Sequence, residues 1–384
     1  MLYTIQKIAS SVSVQSGYLL FNGKLLHPLW LRNRCLSPKH VQLSTKQRLF
    51  ELTDLKCVVT NVDIIDNKLK IKFSDGHISD FTINYLLQES NLTINNLNNL
   101  PTSVMWSAKD NLSKFEWQAN DIVNIDSKNT LLSKEIEMIK FAKHMCIFGF
   151  AIVRGLPSQK GIVKQFSNLI GIIRDTNWGD VFNVENKIIN NNVGISQQDI
   201  AYTNLELPLH VDNPYREPVP GYQLLHCIVQ DVDGDNGESI IADGLYIVDL
   251  FKNKYPEYFD ILSQIPVRFE FSDENVCLKR SAPHFEIDNY KNFQAINFSG
   301  RLDYIPNLNP IEMEHYFAAR SKLVEILRNN STFIKFKLNP GDLLFIDNRR
   351  CLHGRKSFNK LTNRFLQGCY IDKDMIHSLY YKSL

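Results

Sequence analysis

A mainly β chain of the α+β kind, a jelly-roll domain preceded by a small β-rich domain, is the fold class that this sequence predicts. Three observations predict it: short runs of alternating apolar and polar residues, turn signals between them, and few stretches with helical spacing. A chain of 384 residues also exceeds one core, because single cores stop growing near ~250–300 residues. Two domains are therefore expected, at 1–105 and 106–384.

In the first domain, Lys68-Leu69-Lys70-Ile71-Lys72-Phe73 places Leu69, Ile71 and Phe73 on one face, and Asp75-Gly76 supplies a tight hairpin turn. Residues 89–118 are rich in Asn, Ser and Thr, and Asn95-Asn96-Leu97-Asn98-Asn99-Leu100-Pro101 breaks the periodicity, so the linker belongs there. From Lys134 to Cys146 the apolar positions Ile136, Ile139, Phe141 or Ala142, and Met145 follow helical spacing, and Phe148 to Gly155 then reads as a buried strand. A second helix is expected over 311–328, where Met313, Tyr316, Phe317, Leu323, Val324 and Leu327 form a stripe after Asn309-Pro310. Phe333 to Leu338 and Leu343 to Ile346, joined by Asn339-Pro340-Gly341-Asp342, read as a hairpin that delivers His353 just past a strand end.

Composition excludes several classes. A net charge of +2 with scattered basic residues gives no nucleic-acid footprint. No run approaches the roughly 18 apolar residues of a membrane span, and the N-terminus lacks a charged region followed by a long apolar stretch. Seven cysteines without CxxC spacing fit reduced thiols better than a disulfide framework. A cytoplasmic protein acting on a small molecule is the expectation.

Two distant stretches carry chemistry. In Leu207-Pro208-Leu209-His210-Val211-Asp212 an imidazole and a carboxylate two residues apart point the same way from an extended segment. In Leu344 to Arg355 a second imidazole, His353, follows another apolar run. His210, Asp212 and His353 together make the two-histidine, one-carboxylate set that occupies one face of an octahedral Fe(II) and leaves three positions open. A His-x-Asp pair alone is a weak signal, and isolated histidines are more often surface or core residues. What raises it is the second histidine and the arginine, Arg364, that follows.

These stretches, with Ala201-Tyr202-Thr203, the run Pro218 to Cys227, Phe336-Lys337-Leu338-Asn339-Pro340-Gly341-Asp342 and His353-Gly354-Arg355, carry a family likeness. From about Phe141 onward the chain resembles the gamma-butyrobetaine hydroxylase and trimethyllysine hydroxylase branch of the taurine-dioxygenase-like oxygenases, and residues 15–100 resemble that branch's N-terminal domain more loosely. The resemblance implies a double-stranded β-helix, Fe(II), 2-oxoglutarate and O2 as cosubstrates, ascorbate as reductant, a homodimer, and hydroxylation of a small betaine or amino acid, with carnitine biosynthesis as the setting for gamma-butyrobetaine.

It also implies site residues. Arg364 falls where the family binds the distal carboxylate of 2-oxoglutarate, a task for a planar and permanently charged fork. For Arg349, Arg350 and Arg355 a structural ion pair is at least as good a reading. The positions that cage a trimethylammonium group fall on Trp178, Phe182, Tyr202 and Tyr370, and aromatic faces attract a desolvated cation by ~2 kcal/mol or more. A core role for Phe182 and Tyr370 is the rival. Asp199 stands where trimethyllysine enzymes carry an aspartate and butyrobetaine enzymes an asparagine, and an aspartate would repel a substrate carboxylate. Asn297 is a polar candidate for the substrate's other end, and Arg301 an alternative partner for an acid group.

In the first domain, relatives place a Cys-x-Cys-x-x-Cys zinc site completed by a histidine. Here Cys35, His40 and His77 align with three of the ligands and Ser37 with the fourth. A hydroxyl substitutes poorly for a thiolate, so zinc is weighed against a metal-free domain held by apolar contacts. The rival functions are the same oxygenase chemistry on a quaternary-ammonium phosphonate or natural-product amino acid, and a non-catalytic binding protein on the same fold.

Overall fold

The computed structural model describes residues 12–93, 96, 98–185, 205–230, 237–357 and 364–383. The chain divides into two compact units, Met1–Asn99 and Leu100–Leu384.

The smaller unit contains two antiparallel three-stranded sheets, Ser13–Gln15 with Tyr18–Phe21 and Lys24–Leu26, and Val59–Ile65 with Lys68–Phe73 and Ile78–Thr82. The alternation in Lys68–Phe73 is realised, with Leu69, Ile71 and Phe73 buried. Gly76 turns this hairpin at φ +82°, a conformation open to glycine without strain. Helix Ile83–Asn91 follows directly, its first turn capped by the Thr82 hydroxyl accepting from the Tyr85 amide.

In the larger unit a six-stranded sheet runs in the order Phe182–Glu185, Arg364–Ile371, Tyr222–Gln230, Leu343–Asp347, Phe150–Arg154, Glu116–Gln118. A four-stranded sheet runs Leu207–His210, Cys351–Arg355, Ser239–Asp243, Phe333–Phe336. Successive strand residues face opposite ways, and both directions are apolar here. Phe150, Ile152, Cys227, Leu344 and Leu366 of the larger sheet pack with Ile241, Ile334, Phe336 and Cys351 of the smaller. The alternate residues Ala151, Val153, Leu224 and Phe345 pack against Met138, Phe141, Met145, Phe166 and Ile376 of helices Glu135–Phe148, Ile162–Ile170 and Lys373–Tyr381. On the smaller sheet, Leu209, Ile240, Ala242 and Leu352 meet helices Gly244–Lys254, Pro256–Gln264 and Pro310–Arg328.

The described residues form a mixed α/β structure, about a third strand and 29% helix. Helix is therefore more abundant than the sequence reading expected, because each sheet exposes an apolar outer face that needs cover. Helices Glu135–Phe148 and Pro310–Arg328 fall where the spacing predicts them, the first ending at Gly149 with φ +80° and the second opening on a full Asn309–Glu312 capping box.

Two local expectations are corrected. Phe333–Phe336 and Leu343–Asp347 do not form a hairpin, since they belong to different sheets. Asn339 to Asp342 turns a corner between layers, where Gly341 packs so closely on the Leu156 carbonyl that a Cβ would come within 2.3 Å of its oxygen. The Asp342 carboxylate secures the corner by accepting from the Asn339 amide at 2.7 Å and pairing with Arg154. His353 is also not just past a strand end; it sits in the middle of Cys351–Arg355, one short turn beyond Leu343–Asp347.

Candidate active site

His210 ends one strand of the smaller sheet and His353 lies opposite it on the neighbouring strand, the two being cross-strand partners. Both are buried, with ring centroids 4.4 Å apart. Close strand approach is built in at Gly354, where a Cβ would come within 2.5 Å of the Leu207 carbonyl oxygen. Asp212 follows on the segment leaving the first strand. Asn348 fixes that segment: its side-chain carbonyl accepts from the Asp212 amide at 2.8 Å, and its amide donates to the carbonyls of Asp212 at 2.9 Å and Pro220 at 3.2 Å.

Among the described residues, His210, Asp212 and His353 form the one group of three potential ligands whose donor atoms lie within 4.8 Å of one another. His210 Nδ1 is engaged with the Pro208 carbonyl at 2.9 Å, which leaves Nε2 facing inward. Burial and the neighbouring His210 push the His353 imidazole down to about 3. Burial works to raise the Asp212 carboxyl, but the His210 hydrogen bond, both imidazoles and the Tyr370 hydroxyl outweigh it and hold the group below the usual carboxylate range. An ionised Asp212 beside a neutral His353 is the protonation state that a divalent metal requires of such ligands. The donor set fits Fe(II), with one carboxylate and two imidazoles on one side and room opposite.

That room is a cavity of about 610 Å³ opening between the sheets. Arg364 lines it from the first position of Arg364–Ile371, only 6% exposed, and makes no ion pair with a described residue. Burial pulls its pKa down to about 10. Arg355 stands beside it in the lining, lowered to about 9 by burial and then by the charge of Arg364. Both remain cationic at neutral pH. By contrast Arg349 pairs with Glu286 at 2.6 Å and Arg350 with Asp243 at 2.9 Å, as structural ion pairs.

Trp178, Phe182 and Tyr370 all line the cavity. Phe182 stacks on Tyr370 with centroids 5.1 Å apart, and the Arg216 guanidinium lies 5.6 Å from the Trp178 ring. Asp199 and Tyr202 lie outside the described residues. Asn297 is not brought to the cavity. It is fully buried, its amide donating to the Pro283 carbonyl and Glu286 and its oxygen accepting from Arg280 and Arg349, so all its capacity is used internally. Arg301 does line the cavity. Sequence reasoning assigned no role to Gln223, Tyr215 or Phe271, which line it too; a glutamine inside the apolar run Tyr222-Gln223-Leu224-Leu225 was the available signal for the first.

In the smaller unit, Cys35 Sγ lies 3.3 Å from His77 Nε2, a thiol–imidazole contact, and the His40 ring meets His77 edge-on at 4.0 Å. The three do not converge as the iron-type group does. Burial, then Arg32 and His40, lower His77 to about 4.

The site places the chain among the 2-oxoglutarate-dependent dioxygenases, and comparison with known proteins agrees. The profile of the taurine catabolism dioxygenase TauD, TfdA family matches residues 111–370, most of the chain. A gamma-butyrobetaine dioxygenase of Pseudomonas sp. (strain AK-1) is 26% identical over 97% of this chain and 95% of its own. The mitochondrial trimethyllysine dioxygenase of Rattus norvegicus is 28% identical over 90% of this chain and 80% of its own. A taurine dioxygenase structure from Burkholderia xenovorans aligns at a TM-score of 0.47 and 14% identity, over 63% of this chain and 83% of its own. The chain belongs to the taurine catabolism dioxygenase TauD, TfdA family. Among the described residues no helix is long and apolar enough to cross a membrane.

Proposed function

We propose that this protein hydroxylates a small betaine or amino acid, gamma-butyrobetaine or trimethyllysine first, with Fe(II) held by His210, Asp212 and His353 and 2-oxoglutarate held by Arg364. The two packed sheets are read as the layers of a double-stranded β-helix. One observation carries the proposal: a single cavity is lined by the three metal donors, a buried arginine without an ion-pair partner among the described residues, and the aromatic side chains Trp178, Phe182 and Tyr370. Bound iron would supply the activation of oxygen, coupled to conversion of 2-oxoglutarate to succinate and carbon dioxide.

The protein's own part is position and exclusion. Arg364, with Arg355 beside it, offers a buried pair of guanidinium groups for the distal carboxylate. The Phe182 and Tyr370 rings present π-faces to a quaternary ammonium group, which has no N–H to donate. Asn297 is engaged elsewhere, and Arg301, which lines the cavity, is the cation we assign to a substrate acid.

Succinate formation by purified protein with Fe(II), ascorbate and 2-oxoglutarate tests this, comparing gamma-butyrobetaine, trimethyllysine and no substrate. Substrate-dependent turnover with either is expected. Succinate release that neither compound stimulates would remove both as substrates and direct the search to other amines and acids.

A further inference from the structure

The Asp212 carboxylate has two oxygens in different surroundings. Oδ1 faces the imidazoles, 3.2 Å from His210 Nε2 and 3.9 Å from His353 Nε2. Oδ2 faces the opposite sheet, where it accepts from the Tyr370 hydroxyl at 2.7 Å and from the Gln223 side-chain amide. Gln223 and Tyr370 are cross-strand partners on adjacent strands of the six-stranded sheet, so pairing alone sends their side chains to one face about 5 Å apart. A slip of one residue in either strand would send that strand's donor to the helix-covered face.

We infer that Tyr370 and Gln223 are positioning residues that tether Oδ2, so that Asp212 presents Oδ1 alone to the metal. A carboxylate free to rotate can chelate a cation through both oxygens, which would occupy a position that cosubstrate or oxygen needs. Two donors on Oδ2 oppose that geometry and fix the carboxylate before metal arrives. Burial supports the assignment. Gln223 is 2% exposed in an apolar strand and its Oε1 has no hydrogen-bond partner among the described residues, so the bond to Asp212 is what its amide gains there. A buried, half-satisfied amide destabilises the fold relative to an apolar residue of similar shape. For Tyr370, a role limited to facing a cationic substrate would need the ring and not the hydroxyl.

This inference rests on His210, Asp212 and His353 being the metal ligands, and the experiment separates the two. Metal-free protein is titrated with Co(II) alone, reading the visible d–d bands and the affinity, for the parent, His210→Ala, Tyr370→Phe and Gln223→Leu. Tight binding by the parent that His210→Ala abolishes establishes the ligand set; equal behaviour of those two overturns that set and this inference with it. With the set established, Tyr370→Phe, which keeps the ring stacked on Phe182, is expected to weaken Co(II) binding by about 10–100-fold and to change the band shape. Gln223→Leu should act in the same direction. If Tyr370→Phe binds Co(II) with parental affinity and spectrum, the tether is refuted. Thermal melting of each metal-free variant checks folding, and Tyr370→Phe decides the matter if Gln223→Leu does not fold.

Discussion

Replacing Arg364 by methionine should make the protein more stable and a worse enzyme at once. The guanidinium is 6% exposed, pairs with no described acidic group, and shares its corner with Arg355. Burial lowers its pKa from 12.5 to about 10, and at about 1.4 kcal/mol per pKa unit this corresponds to roughly 3 kcal/mol held against the ligand-free fold. Methionine fills similar space without charge. The ligand-free variant should therefore melt higher, by roughly 6–12 °C at about 2–4 °C per kcal/mol for a large domain. The carboxylate of 2-oxoglutarate would meanwhile lose a bidentate partner. At ~1.5–3 kcal/mol for each charge-assisted bond, its affinity should fall by about 10²–10⁴-fold.

The assay is thermal melting of metal-loaded protein with and without 2-oxoglutarate. Ligand that binds only the native state raises the parent's melting temperature, and this rise should vanish in Arg364→Met. Arg364→Lys keeps the charge but loses the fork, so it should retain part of the rise. A variant that melts lower than the parent without ligand, yet gains as much from 2-oxoglutarate, would show that Arg364 is structural.

Other outcomes are specific. His210→Ala should abolish substrate-dependent succinate formation, measured with iron in excess. Gly354→Ala forces a Cβ against the Leu207 carbonyl, where backbone rather than a mobile side chain must yield; a loss of about 2–4 kcal/mol is expected by denaturant titration. His226 is fully buried, neither ring nitrogen has a hydrogen-bond partner among the described residues, and burial lowers it to about 4. Since its folded pKa lies below its unfolded value, the native state binds fewer protons under pH 6.5, and stability falls as pH drops from there toward 4. His226→Leu should therefore lose less stability than the parent between pH 7 and 5, by up to about 2 kcal/mol; parallel melting curves at the two pH values would contradict this. Elemental analysis of protein purified without chelator should find no stoichiometric zinc, because Cys35, His40 and His77 do not converge.

The residues that announce chemistry by type were legible in the sequence. His210, Asp212 and His353 stand in two short stretches of the chain with Arg364 following the second, and the structure brings all four to one cavity. Helices Glu135–Phe148 and Pro310–Arg328 were legible because their apolar period and caps are local. The fate of Asn297 was not, since a polar residue inside an apolar run looks alike whether it faces substrate or is used up by Arg280, Glu286 and Arg349. Asn339 to Asp342 misled for a related reason: a turn sequence fixes a reversal, while sheet membership is decided by pairing with distant strands. Gln223 passed without a role because its meaning depends on lying opposite Tyr370.

The triad is held from both layers of the sandwich. His210 and His353 ride on the smaller sheet, while the far oxygen of Asp212 is hooked to the larger one through Gln223 and Tyr370. The site thus works as a caliper across the interlayer core, and small changes in that gap are felt at the carboxylate. Ile241 sits in this core, directly paired with His353. Trimming such a residue touches no donor atom, yet by letting the layers settle closer it would change the span that the caliper measures, making metal affinity a gauge of core packing.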